Sequence, residues 1–450
     1  MLKRIFSVFF AFLLTFLLAL PVFNVSAYEV NGFEITANAG MLVSLDTNEV
    51  LYSKNADKKI YPAAITNIMT AIVILESEKY SPDGRITMTE KALTDILGTG
   101  VAVTNTKAGE EFSHTDLLHF IIMCSCGDAG YLAADYFYGS HEAFVSKMNE
   151  TAQRFGMKNT NFTNPIGLHD ENHYTTVEDI RILTEYALRN KTFKEISAKH
   201  RYNMAATNMR DKRILSTTNF LLDTTTNYYY QYATGVKTGY TDEAGRCIVA
   251  TASYNDYDYN YLCILMDTPN NPLKREELSQ CADLFRWAFN NFSFKEVATG
   301  DEPVCEMPLE LSMDTDFVSL YFEKPFVSVL PKDADESTIV IKTKLKSESV
   351  KAPVKKGQVL GEAEVIFAEK VIGKVNLVAG EDIKANSLLK AVDIVKGIFT
   401  SVYMKIVYVV LGLLAVGFVV LCVKMNYSKG KKRKVKYIPY DGKERENKHR

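Results

Sequence analysis

Residues 28–60 alternate in the β manner, and residues 41–45 and 50–52 flank the turn Asp46-Thr47-Asn48-Glu49, which predicts a hairpin. Pro62 then precedes an apolar run over residues 65–75, long enough and uniform enough for a buried helix. Residues 115–137, strongly apolar, and 141–154 also read as helices. Thr175 with Glu178 forms a capping-box start for a helix reaching about Leu188. Strand patterning returns between residues 235 and 266, in 247–252 and 261–266, and residues 277–292 predict a closing helix that carries the single tryptophan, Trp287. Strands at both ends of a helical middle predict an α+β fold whose sheet is completed late in the chain.

Near residue 294 the pattern changes. Short alternating segments at 338–344, 358–360, 363–367 and 371–377, punctuated by Pro and Gly, predict a separate small β domain over residues 294–395. The first domain is then residues 28–293. Two segments lie outside both. Residues 1–27 combine Lys3 and Arg4, an uncharged apolar run to Leu20, the breaker Pro21 and the small residues Ser26 and Ala27, which is the layout of a cleaved signal peptide. Residues 406–423 contain no charge and are flanked by Lys405 and Lys424. At 1.5 Å rise such a helix covers about 27 Å, close to the hydrocarbon thickness of a bilayer, and predicts one transmembrane helix.

Charge sharpens this division. The 450 residues sum to a net charge of -2. In the tail, residues 424–450, eleven Lys and Arg stand against three acidic residues. Positive flanks stay cytoplasmic, so the body is expected to face outward and the tail inward. The signal carries a surplus of two and the tail a surplus of eight, which leaves -12 on the body. An acidic exported body argues against nucleic acid as a partner. Of seven cysteines, six lie outside the span and none forms a CxxC pair, so neither a disulfide-dense scaffold nor a zinc ribbon is indicated. His169 and His173 are four apart, but Pro165 and Gly167 make the segment a surface loop rather than a helical metal site; no metal and no cofactor is implied.

Three local signals carry chemistry. Gly235-Val236-Lys237-Thr238-Gly239-Tyr240 precedes a strand, Ser125-Cys126-Gly127 lies in the helical middle, and Pro62-Ala63-Ala64-Ile65-Thr66-Asn67 opens the buried helix. With residues 155–162, 164–168, 173–176, 216–219 and 352–357, these resemble the serine-type D-Ala-D-Ala carboxypeptidases, the low-molecular-mass penicillin-binding proteins, over residues 30–395. The resemblance implies a penicillin-binding-protein/β-lactamase-like transpeptidase domain of α+β class, then a small β-sandwich-like domain, then the transmembrane helix. It implies a bacterial cell-membrane protein acting in peptidoglycan metabolism. Its ligand would be a stem peptide ending in D-Ala-D-Ala, bound by Ser125, Lys237, Thr238, Gly239 and Tyr240, with the backbone amides of 64 and 240 in the oxyanion hole.

The departures fall on the catalytic positions. The family's nucleophilic Ser and its Lys correspond to Ala64 and Asn67, and the Asn of its second motif to Gly127. Alanine has no nucleophile, and a neutral amide is no base near pH 7. Only Lys-Thr-Gly is complete, and Ser125 is the best remaining hydroxyl. Ser387-Leu388-Leu389-Lys390 and Ser428-Lys429-Gly430-Lys431 fit S-x-x-K, but lie in the β domain and the tail. The sequence therefore favours an inactive binding or regulatory homologue. The alternatives are a carboxypeptidase with relocated chemistry and a structural scaffold without pocket function.

Overall fold

The structure, a computed structural model, describes residues 33–254 and 259–431. The expected signal peptide and residues 432–450 of the basic tail lie outside the described residues. The chain divides into two units, the first comprising residues up to Val297 together with Val327–Ile339, the second Ala298–Phe326 and the chain from Val340 onward.

The first unit is built on a five-stranded antiparallel sheet ordered Val50–Lys54, Ala39–Ser44, Tyr259–Thr268, Gly245–Tyr254, Ala233–Thr241. The first two strands are the predicted hairpin. Alternation along the strands sends side chains into two cores. Met41, Val43, Val249 and Ile264 face a helical layer, while Leu42, Ile248, Cys263 and Leu265 face the helix Glu276–Asn291. Both faces are covered, which is why these strands read as nearly continuous apolar runs. The helix Asn67–Leu75 is buried from Asn67 through Ile74, so it forms the centre of the helical layer.

Two sequence expectations need correction. Residues 115–137 are two helices, His114–Ile122 and Gly127–Tyr138, with a turn at residues 124–126. The break follows from Ser125, whose φ of 57° lies in the left-handed region and cannot continue a helix. The cap of helix Val177–Arg189 is Thr176, whose hydroxyl accepts from the Asp179 amide at 3.1 Å. The Thr175 hydroxyl instead meets that of Thr160 at 2.8 Å.

The segment Val327–Ile339 belongs to the first unit because its strand Phe326–Pro331 pairs with Phe292–Ala298 and because Ser328 and the Val329 amide both donate to the Glu49 carboxylate. The second unit holds a six-stranded sheet ordered Val340–Leu345, Val359–Phe367, Lys370–Ala379, Phe317–Phe322, Cys305–Glu310, Val350–Lys351, in which only the last pair is parallel. Helices Ser387–Thr400 and Val402–Lys431 follow. The latter contains a 26-residue stretch, Val402–Tyr427, apolar and long enough to cross a membrane. It is longer than the charge-free segment 406–423 because the helix continues through Lys405 and Lys424, whose chains can reach an interface.

Candidate functional site

A cleft of about 560 Å³ opens in the first unit between the edge strand Ala233–Thr241 and the helical layer. Thr238, Gly239 and Tyr240 form its strand side, and Ala64, Ser125 and Thr218 stand among its other walls. Topology brings these together: the edge strand lies outermost in the sheet, and the 3-10 turn Ala63–Thr66 ends beside it. Two glycines make the approach possible. A Cβ on Gly167, where φ is +80°, would stand 1.9 Å from the Ala63 carbonyl oxygen, and one on Gly239 would stand 3.1 Å from the Ile65 nitrogen.

Ala64 presents only a methyl group to the cleft. Asn67 does not reach the cleft. It is buried, and its Nδ2 donates to the Ile121 carbonyl at 3.1 Å, tying two helices together. Thr66 faces away from the cleft, bonded through Oγ1 to His173 Nε2 at 2.9 Å. The place of an asparagine side chain at 127 is filled. A Cβ on Gly127 would lie 2.5 Å from Ile96 Cδ1, 3.0 Å from Val101 Cγ1 and 3.2 Å from Ile166 Cδ1. Ile96, Tyr131 and Ile166 form a small apolar cluster at that point. A glycine at 127 is thus built into the packing.

Lys237 is 1% exposed and lies beneath the cleft, outside its lining. Its ammonium donates to Ser125 Oγ and, at 2.7 Å, to the Thr238 carbonyl. Burial pushes its pKa down to about 7, opposed by the thiols of Cys124 and Cys126 nearby. Thr238 Oγ1 donates to Thr218 Oγ1 at 2.7 Å, which aims both hydroxyls across the cleft floor. The next residue in the chain after the second motif, Asp128, is fully buried and accepts from the Thr104 amide at 3.0 Å and hydroxyl at 2.6 Å, anchoring the loop that supplies the wall at residues 99–102.

Several cleft residues escaped the sequence reading. Arg275 and Arg246 both line it. Arg275 Nε donates to the buried Glu277 at 2.5 Å, while Arg246 Nε donates to Asn270 Oδ1 at 2.9 Å with its guanidinium 4.9 Å from the Tyr240 ring centre. These contacts hold two cations at the mouth. His169 also lines the cleft, edge-on to Tyr61, and its Nδ1 is buried without a hydrogen-bond partner. The expectation of a surface loop fails for His173, which is 2% exposed and structural. The tyrosines near Lys-Thr-Gly serve packing: Tyr230 and Tyr232 lie against Phe285 and Phe289 of the helix Glu276–Asn291.

An α+β scaffold with a cleft of about 560 Å³ rimmed by Arg246 and Arg275 is what these observations define. Residues 24–269 match the D-alanyl-D-alanine carboxypeptidase family and residues 299–385 the C-terminal domain of penicillin-binding protein 5. The chain belongs to the D-alanyl-D-alanine carboxypeptidase family, whose members act in peptidoglycan metabolism. It is 29% identical to D-alanyl-D-alanine carboxypeptidase DacF of Bacillus subtilis over 350 residues, covering 77% of this chain and 86% of that protein. It is 29% identical to DacA of Haemophilus influenzae over 394 residues, covering 85% and 94%. The crystal structure of penicillin-binding protein 5 from Haemophilus influenzae aligns with a TM-score of 0.64 and 26% identity, covering 79% of this chain and all of that one.

Proposed function

We propose that this chain is a membrane-anchored, extracytoplasmic member of the family that binds stem peptides ending in D-Ala-D-Ala without cleaving them. The observation that carries the reading is the methyl group of Ala64 at the attack position, with Asn67 turned away to Ile121 and the space at Gly127 filled by Ile96. Removing nucleophile and base together erases most catalytic acceleration and leaves only binding and oxyanion terms. What binding needs is retained: the Thr238 and Ser125 hydroxyls, Lys237 beneath them, and the Arg275 guanidinium at the mouth suit a terminal carboxylate. The apolar helix Val402–Lys431 and the basic tail support a single span with the tail inside.

Calorimetry of the detergent-solubilised protein with N-acyl-D-Ala-D-Ala tests this, together with an assay for released D-Ala. Binding without release is expected. Release of D-Ala abolished by Ser125→Ala would overturn the reading in favour of a relocated hydrolase, an alternative supported by the contact of Ser125 with a lysine whose pKa is near neutrality. Added protease should digest the body of the protein in right-side-out spheroplasts and spare the tail.

A further inference from the structure

Arg275 is held at the cleft mouth from three sides. Its backbone caps the helix Glu276–Asn291: the amide donates to the Tyr228 hydroxyl at 2.9 Å, and the carbonyl accepts from the Leu278 amide at 3.1 Å. Its Nε donates to Glu277 Oε1 at 2.5 Å. Its guanidinium carbon stands 5.2 Å from the ring centre of Phe220, a flat shelf for a planar cation. One donor of the fork is thereby spent. Neither terminal nitrogen is hydrogen-bonded among the described residues, so the outer N–H groups stay available to a ligand in the cleft.

Glu277 is fully buried, and its second oxygen has no partner among the described residues. A buried carboxylate persists only with a cation against it, and its ion-pair partner here is Arg275. The charge itself does nothing for an anionic ligand: a negative group behind the guanidinium weakens the pull on a carboxylate in front of it. What Glu277 supplies is direction. A free arginine side chain loses rotamer freedom when it clamps a ligand, and a bond at Nε made in advance removes part of that loss. The Phe220 shelf is tied to the cleft through the chain. Phe220 opens the short turn Phe220–Leu222, capped by Asn219, and closely follows Thr218, whose hydroxyl accepts from Thr238 at 2.7 Å. One short segment thus sets both the hydroxyl floor and the seat of the cation.

We propose that Glu277 and Phe220 are positioning residues that aim the Arg275 guanidinium at the terminal carboxylate of the bound peptide, so that the cleft selects a free acid over the same peptide amidated. This rests on the reading of the cleft as a binder of peptides ending in D-Ala-D-Ala. Arg246 has a different setting. It is bonded to the neutral Asn270 and laid on Tyr240, which is 39% exposed. Held by surface groups, it adds attraction that solvent screens, whereas Arg275 is braced from a buried side.

The test is calorimetry of full-length protein in detergent with two probes, N-acyl-D-Ala-D-Ala and its C-terminal carboxamide, alongside melting temperatures. The unmutated protein should prefer the acid by about tenfold or more, the worth of one oriented charge-assisted pair. Glu277→Ala should bring that ratio close to one while leaving affinity for the carboxamide within about twofold. A merely structural role would weaken both probes together. Glu277→Gln should keep the ratio or raise it, because its amide oxygen still accepts from Nε and the opposing charge is gone. Phe220→Leu, which keeps the apolar bulk, should lower the ratio by a smaller factor, and it carries the test if Glu277→Ala does not fold. An unchanged ratio in Glu277→Ala or, failing that variant, in Phe220→Leu would overturn the proposal. A Glu277→Gln ratio that falls as far as that of Glu277→Ala would overturn it too. Equal affinity of the unmutated protein for both probes would overturn the proposal alone, and binding of neither would overturn it together with the reading of the cleft.

Discussion

A Cβ at position 239 would stand 3.0 Å from the amide nitrogen of Ala64, so Gly239 and Ala64 are in near contact across the cleft floor. The neighbours are backbone and the methyl of Ala63, which cannot rotate aside. Gly239→Val should therefore push the turn Ala63–Thr66 away from the edge strand. The expected cost is about 1–3 kcal/mol, as for other overpacked sites. Affinity for N-acyl-D-Ala-D-Ala should fall more steeply than stability, because the cleft floor is what moves. Melting temperature and calorimetric affinity, measured on the same preparation, separate the two effects.

Restoring chemistry requires more than restoring residues. Ala64→Ser with Asn67→Lys returns the nucleophile and an adjacent amine, and a fluorescent penicillin should then label a protein that it does not label beforehand. Adding Gly127→Asn should lower stability by about 1–3 kcal/mol, since the new side chain meets Ile96 Cδ1. A further Ile96→Ala should recover part of that loss and improve labelling. If Gly127→Asn is tolerated with Ile96 in place, the filled space is not a packing constraint.

Lys237 sets a pH dependence with two readouts. Its pKa of about 7 means that the ammonium form, the one that favours a carboxylate ligand, fades as pH rises through neutrality. Affinity for an acyl-D-Ala-D-Ala ligand should fall over that range and then level off, because the ammonium is by then spent. Stability moves the other way. Between pH 7 and 10.5 the unfolded chain binds more protons than the folded one, so this lysine makes stability rise with pH across that window. Lys237→Met should compare best with its parent below pH 7. Denaturation midpoints across the window check the sign.

His173 produces a second window of the same sign, in acid. The Thr163 amide donates to its Nδ1 at 3.2 Å, so the ring proton sits on Nε2 and is donated to Thr66. Burial lowers its pKa from 6.5 to about 4. The unfolded chain binds more protons between those values, so stability is lost as pH falls through them, by about 3 kcal/mol if the full shift is expressed. His119, lowered to about 4 chiefly by burial, adds to the same trend. His173→Gln should flatten the acid limb of a stability-against-pH curve measured by urea unfolding. An unchanged limb would assign the acid sensitivity elsewhere.

What the sequence disclosed depended on whether a feature was local. Ala64 and Asn67, where the resemblance expects a Ser and a Lys, are readable because they lie three apart in one short motif. Arg246 and Arg275 were invisible, and Thr218 and His169 were noticed without being placed at the cleft, because strand order and loop closure, not spacing, bring them there. The turn at residues 124–126 was missed because apolar residues continue through it, and only the φ of Ser125 reveals the break. The buried role of His173 was hidden by Pro165 and Gly167, which do mark a loop but say nothing of its bond to Thr66 in the turn Ala63–Thr66.

The return of Val327–Ile339 to the first unit has a practical edge. The chain crosses between the units three times, so no single cut frees either one whole. Cleavage near residue 298 would strand the partner of Glu49 on the wrong fragment and leave the strand Phe292–Ala298 with a bare edge, ready to pair with another molecule. Removing the second unit while keeping Val327–Ile339 therefore takes two excisions rather than one.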